Sequence, residues 1–385
     1  MRSKTPKVVS KLPDVGTTIF TVMSQLATKS GAINLSQGFP GFDIDPHLGE
    51  LVHRAMKVGL NQYAPMPGIP ALREVISSKH ERLYGRKYDV QDEICVTSGA
   101  TQALFTAFSA FIQPGDEVIV FTPAYDCYVP SIELNGGVAV SIELKAPHFE
   151  IPWEEVRERI SDKTRMIVIN NPHNPTGAVL QASDLEELAV LTRDTDILVL
   201  SDEVYEHITF DGQEHQSVAR NEELSIRSII TYSFGKTFHA TGWKMGYALA
   251  PASLMKEFRK VHQFNVFSAN TPIQVALAKY MEDEDTYGKL PAFYQEKRDF
   301  FLDRLKDSRF TYLPAAGTYF QLLDYSAITQ DHDVDVARRW TTESGIASIP
   351  ISVFYPSGRD QHLLRFCFAK QEDELARAAD ILSGL

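Results

Sequence analysis

Cysteine is scarce in this sequence. Cys95, Cys127 and Cys367 are the only three, and they stand far apart. That spacing argues against a disulfide framework and against a structural zinc site, and it fits a reducing, cytoplasmic setting. Long apolar runs are missing too. No stretch nears the roughly 20 apolar residues that a membrane helix needs. The first twenty residues carry Lys and Pro but no apolar core of a secretory signal. Basic residues are outnumbered, 38 Lys and Arg against 50 Asp and Glu, for a formal charge of −12. That balance argues against nucleic acid as the main partner, because a phosphate backbone wants clustered cations. There is no internal repeat and no low-complexity tract. A nucleotide-hydrolysing loop is also absent. "GKT" at 235–237 would need a glycine five residues before Gly235, and Ile230 stands there.

What is present is an ordinary large core, with 44% hydrophobic residues in a chain of 385. Such a length suits two domains, or one large domain with an appendage. The middle of the chain alternates short apolar runs with helical patterns. The runs are "EICVTSG" (93–99), "DEVIVFTPAY" (116–125), "VAVSIEL" (138–144), "RMIVINNP" (165–172), "DILVLSDEVY" (196–205), "IRSIITYSFGK" (226–236) and "MGYALAP" (245–251). Short β-branched runs separated by helices indicate an α/β fold with a mostly parallel sheet buried on both faces. In the helix "SDLEELAVLTR", Ser183 and Glu186 have the spacing of a capping box. After Pro251 the texture changes to helix formers, and "TYFQLLDY" (318–325) and "HLLRFCFAK" (362–370) read as strands of a smaller α+β unit. With Pro291 near the boundary, the expected division is a large domain over 41–290, with 1–40 and 291–385 forming an N-terminal segment and a small C-terminal domain.

In open α/β sheets ligands gather beyond the carboxyl ends of the strands. Those ends read "SGAT", "TPAYD", "NNPHNPTG", "SDEVY" and "SFGK". Gly99, Ala100 and Thr101 open a helix whose small residues let backbone N–H groups approach a phosphate, which Ser233 and Lys244 could help to hold. Asp202 ends a buried strand, where a carboxylate is costly without a partner. Tyr205 and Asn174 offer donors, Tyr125 offers a flat ring, and Lys236 is a candidate for a Schiff base with an aldehyde. Each has an ordinary alternative: a tight turn, an N-cap, core packing, a surface lysine. Together they describe one ligand, a phosphorylated hydroxypyridine aldehyde, which is pyridoxal 5′-phosphate. Arg365, set among apolar neighbours in "HLLRFCF", wants a planar anion, either a substrate carboxylate or a structural partner.

"NNPHNPTG", "SDEVY" and "SFGKTFHATGWKMGY", in this order and spacing, resemble class I/II aminotransferases of the type I pyridoxal-phosphate fold. "INLSQGFPGFD", "NQYAPMPGIPALR" and "LRFCFAK" extend the likeness over essentially the whole chain. It is nearest in character to the methionine aminotransferase and kynurenine–glutamine aminotransferase branch. The resemblance implies that Lys236 bonds the cofactor aldehyde and that Asp202 keeps the ring nitrogen protonated. It implies that Asn174 and Tyr205 bond the phenolic oxygen, that Tyr125 stacks on the ring, and that Ala100, Thr101, Ser233 and Lys244 hold the phosphate. Relatives often carry arginine where Lys244 stands, so a point charge replaces a two-pronged fork. Arg365 would clamp the substrate α-carboxylate, aided by Gly38 and Asn170. Tyr63 matches a residue that reaches the phosphate of a neighbouring subunit, which implies a homodimer with shared active sites.

The expected reaction moves an amino group from an L-amino acid to a 2-oxo acid by a ping-pong route, with the released Lys236 amine carrying the α-proton. A carbon–sulfur β-lyase on the same cofactor site is the alternative, and a non-catalytic binding protein is a more distant one. Phe20, Phe39, Tyr63, Tyr125 and Phe267 are the expected side-chain pocket, some from a second subunit. An aromatic pocket suits methionine, phenylalanine, tyrosine, kynurenine or the aliphatic part of glutamine. No second arginine is evident for a side-chain carboxylate.

Overall fold

The computed structural model describes residues 7–385, so residues 1–6 of the expected N-terminal segment lie outside the described residues. The first strand, β1 (Ile33–Asn34), is a short piece that pairs with a late one. Seven strands then build the main sheet: β2 (Ile94–Thr97), β3 (Glu117–Thr122), β4 (Val138–Glu143), β5 (Thr164–Asn170), β6 (Leu198–Asp202), β7 (Ser228–Ser233) and β8 (Gly246–Leu249). Four more follow: β9 (Phe320–Asp324), β10 (Ile346–Ala347), β11 (Ile349–Pro350) and β12 (Leu363–Cys367). The main sheet has the order β2-β8-β7-β6-β5-β3-β4. Only β8 runs against the rest, as a mostly parallel sheet requires.

Its strands alternate between two cores, as a two-residue side-chain period dictates. Val118, Val120, Met166, Val168, Leu198 and Leu200 enter one cluster, while Ile119, Phe121, Ile167, Ile169 and Val199 enter the other. This is why the sequence shows unbroken β-branched runs rather than an apolar–polar alternation.

Five helices matter for the site: α1 (Ile19–Ser30), α2 (Pro46–Lys57), α3 (Pro70–Tyr84), α4 (Ala100–Phe111) and α5 (Tyr128–Leu134). Helix α4 starts hard against the sheet. A Cβ on Gly246 would lie 2.5 Å from the Tyr232 carbonyl oxygen and 3.0 Å from Ala100 N, so only glycine fits where β8 passes the helix start. The expected capping box at Ser183 and Glu186 is not the one formed. The helix begins two residues earlier, at Ala182. Gln181 N donates to Asp184 Oδ2 at 2.7 Å, while Asp184 Oδ1 also accepts from the Trp153 indole at 2.9 Å. The tertiary bond to Trp153 fixes Asp184 at the third helical position and moves the cap.

A smaller antiparallel sheet, β11-β12-β9, follows later in the chain. Pro291 stands in the first turn of the helix Leu290–Leu305. The N-terminal segment lies along the C-terminal strands: Cys367 N donates to the Leu35 carbonyl at 2.8 Å, and Gly41 N to the Ala369 carbonyl at 2.8 Å. Among the described residues, no helix is long and apolar enough to cross a membrane.

Candidate active site

Strand register sets the site. Asn170 pairs with Asp202 across β5 and β6, and Ser233 pairs with Gly246 across β7 and β8. The carboxyl ends of β5, β6 and β7 and the amino end of β8 therefore open on one side, beside the start of α4. Gly99, at φ +81°, makes the turn into that helix. Its missing side chain leaves room for Lys244, whose Cε and Nζ would lie 3.3 and 3.4 Å from a Cβ there. The free N–H groups of the first turn, Ser233 and the Lys244 ammonium thus form a cradle of donors for an anion. Thr101 Oγ1 and Tyr125 Oη hydrogen bond at 3.2 Å, which ties the aromatic ring to that cradle.

Asp202 is buried, and Tyr128 donates its hydroxyl to Oδ2 at 2.6 Å. Burial pushes the Asp202 carboxyl up to about 6, against the pull of the Tyr128 bond. No lysine or arginine among the described residues lies within ion-pair distance of it. Asn170 Nδ2 donates to the Asp202 carbonyl at 2.8 Å, and Asn170 Oδ1 accepts from Asn174 N at 2.8 Å. The Pro-bracketed turn is thereby pinned beside the carboxylate. Tyr205 is buried, with its ring edge-on to Tyr319 at 5.2 Å.

Lys236 is partly buried and donates to the Gly38 carbonyl at 2.6 Å and to Tyr319 Oη at 3.0 Å. Desolvation lowers its ammonium to about 8, and the charges of Arg365 and Lys244 push the same way. Roughly a tenth of this amine is neutral at pH 7, against about one part in three thousand for an ordinary lysine. Arg365 is 1% exposed and, among the described residues, has no carboxylate within ion-pair distance. It donates to Asn174 Oδ1 at 2.7 Å and to the Ser36 carbonyl at 3.1 Å, while its Nε has no partner. Its guanidinium lies 3.9 Å from the centre of the Phe320 ring and 5.1 Å from that of Phe20. Burial lowers it to about 10.

These groups line one cavity of about 530 Å³. It collects Ala100, Thr101, Tyr125, Asn174, Asp202, Tyr205, Ser233, Lys236 and Lys244, and with them Arg365, Gly38, Asn170, Phe20 and Phe39. Tyr63 and Phe267 are not there. They pack edge-on against each other at 5.3 Å, with Tyr63 82% exposed, so neither completes the site of its own chain. The Gly38 carbonyl accepts from Lys236 and from Tyr319. A larger cavity of about 770 Å³ shares Asn170 with this one, but among the described residues no lysine or arginine lines it.

Sequence reasoning missed Tyr128, Tyr319 and Phe320. Tyr128 follows Tyr125 by three residues in "AYDCY", the spacing that puts two side chains on one side of a helical turn. Tyr319 and Phe320 carry no local signal, because Lys236 and Arg365 reach them only through the tertiary fold.

The family model for aminotransferase class I and II matches residues 30–382. The chain is similar to a methionine aminotransferase of Escherichia coli (strain K12), 48% identical over 377 residues that cover 98% of each chain. A solved methionine aminotransferase structure from Escherichia coli superposes with a TM-score of 0.97 at 48% identity, covering 99% of this chain and 100% of the other. A kynurenine–oxoglutarate transaminase of Dictyostelium discoideum is 34% identical over 96% of this chain and 94% of its own.

Proposed function

The chain belongs to the class I and II aminotransferases and is an aminotransferase, and from that premise we propose that pyridoxal 5′-phosphate sits in the 530 Å³ cavity and that methionine is a favoured amino donor. The observation that carries this reading is the unmatched chemistry of one cavity. Asp202, a buried carboxylate without a cation, and Lys236, a lysine without an anion among the described residues, both face into it.

The residues present fit the cofactor. Asp202 suits a protonated ring nitrogen, because only a cation repays its burial. The cradle of α4, Ser233 and Lys244 suits the phosphate, and the Tyr125 ring suits the flat face. Asn174 spends its oxygen on Arg365, which leaves its NH₂ for the ring hydroxyl beside Tyr205. When bound, the cofactor supplies an electrophilic carbon and a ring that draws electrons from the substrate α-carbon.

The chain's own residues do the rest. Asp202 holds the proton on the ring nitrogen, and Tyr128 holds Asp202. Arg365 binds the α-carboxylate of the amino acid through two parallel hydrogen bonds, its plane fixed by Phe320. Lys236, once free, stands as a base of low basicity near that α-carbon and moves its proton. The Gly38 carbonyl and Tyr319 hydroxyl orient its Nζ. A 2-oxo acid reverses the same proton movement and restores the starting state.

Substrate choice follows from the lining. Arg365 is the one arginine among the lining residues, and the α-carboxylate occupies it. A side chain that is neutral and long suits Phe20, Phe39 and Tyr125, as methionine does. Tyr63 and Phe267, exposed on this chain, would complete the site of a second copy.

The test is a panel of amino donors against one oxo acid. Methionine and aromatic donors should exceed aspartate, and a preference for aspartate would overturn the substrate reading. Lys236→Ala should keep the fold, lose the visible band of the bound cofactor, and lose about 10²–10⁴-fold or more in turnover. Near-normal turnover would defeat the assignment.

A further inference from the structure

One side of the segment from Asp202 to Glu206 faces the cavity. The other side is buried as well, and it carries two carboxylates, Glu203 and Glu206. They are satisfied differently. Glu206 is ion-paired with Lys79 of α3 and also accepts from Tyr84 Oη at 2.7 Å. Its charge is cancelled at contact. Glu203 has no lysine or arginine within ion-pair distance among the described residues and meets only the imidazole of His215.

Glu203 nevertheless accepts four hydrogen bonds. Oε1 takes Ser201 Oγ at 2.8 Å and Val218 N at 3.1 Å. Oε2 takes His215 Nε2 at 3.0 Å and Tyr232 Oη at 2.8 Å. Tyr232 is the residue before Ser233, on the strand that leads into Lys236. One carboxylate therefore joins the end of β6, the end of β7 and the 215–218 segment, behind three residues of the site.

We propose that Glu203 is a positioning residue for the cofactor site: its four bonds hold Asp202 in register with β7, and its charge makes Asp202 and the ring nitrogen keep the proton between them. The inference rests on the cofactor reading above. The physical reason is simple. With its shared proton the pair is neutral overall, and without it the pair carries one negative charge. A like charge next to it in a poorly solvated interior opposes that loss.

The other titratable groups leave Glu203 in this role. Asp202 also faces Tyr128 and Lys236. Around Glu203 stand His215, Tyr232 and Tyr88. Beyond them the charges of Lys79 and Glu206 oppose each other, close to Tyr84 and Tyr247. Burial holds His80 and His207 well below the usual histidine range, so both are neutral.

The probe is pyridoxine 5′-phosphate, whose alcohol cannot bond covalently to Lys236, titrated into cofactor-free protein across pH by calorimetry. Wild-type binding should weaken as pH rises through the loss of the shared proton. In Glu203→Gln that weakening should come about half a pH unit or more lower. Glutamine fits the site, because the Tyr232 hydroxyl and the His215 ring can each turn from donor to acceptor. Glu203→Asp, which keeps the charge, should return the midpoint toward wild type. The double variant Lys79→Met/Glu206→Gln removes one charge of each sign, so it should unfold at lower temperature with the midpoint unchanged. An unmoved midpoint in Glu203→Gln, or an equal shift in the double variant, overturns the proposal. Failure of the wild type to bind the probe would instead overturn the cofactor reading.

Discussion

Two lysines flank the same short segment, and they live by opposite rules. Lys79, on the reverse side, is buried against Glu206, with Tyr247 Oη at 3.0 Å. Lys236, on the cavity side, hydrogen bonds to a carbonyl and a hydroxyl and meets no carboxylate among the described residues. Desolvation lowers both. Only at Lys79 does a carboxylate in contact offset that loss. The same contrast separates two arginines. Arg298 is forked onto Asp211 at 2.7 and 2.8 Å, while buried Arg365 donates to an amide oxygen and a carbonyl oxygen and, among the described residues, meets no carboxylate. A buried charge with its counter-ion in place is finished structure. One left without it is reserved for something that arrives, and it costs stability until then.

The sharpest way to break this contrast is to remove each lysine in turn. Lys79→Met strands a buried carboxylate and should cost roughly 3–5 kcal/mol in denaturant unfolding. Lys236→Met should do the reverse in the cofactor-free protein. The native amine titrates near 8 and the unfolded one near 10.5, so the charged form is penalised by folding at neutral pH. Its removal should stabilise the protein by about 2–3 kcal/mol below pH 8, with the gain fading as pH rises toward 10.5. If both variants destabilise equally, the two lysines are not different in kind. A smaller effect sharpens the comparison at Asp202. Tyr128→Phe removes one hydrogen bond to a carboxylate, worth about 1.5 kcal/mol, and should lower kcat about tenfold with KM little changed and the cofactor still bound. An unchanged kcat would make Tyr128 a packing residue only.

The two sides were not equally legible in the sequence. All seven main strands could be found because both faces of a parallel sheet are apolar, and the ends of those strands named Asp202, Ser233 and Lys236. The reverse side stayed hidden. Lys79, His80 and Tyr84 sit in "SSKHERLY", which reads as a charged, solvated helix. Their partners are more than a hundred residues away, and no local period reports them. Tyr63 and Phe267 lie outside the cavity of their own chain, and their service to a second copy stays a proposal. The Ser183 cap failed because Gln181 and Asp184 form the box two residues earlier, with Trp153 holding Asp184.

The early segment 33–41 has one more consequence. It finds its backbone partners at Ala347, Cys367 and Ala369, and Arg365, which binds the Ser36 carbonyl, comes from the same late strand. During synthesis the main sheet, complete at Leu249, can form before those late residues exist, and the segment 33–41 waits without its backbone partners until they do.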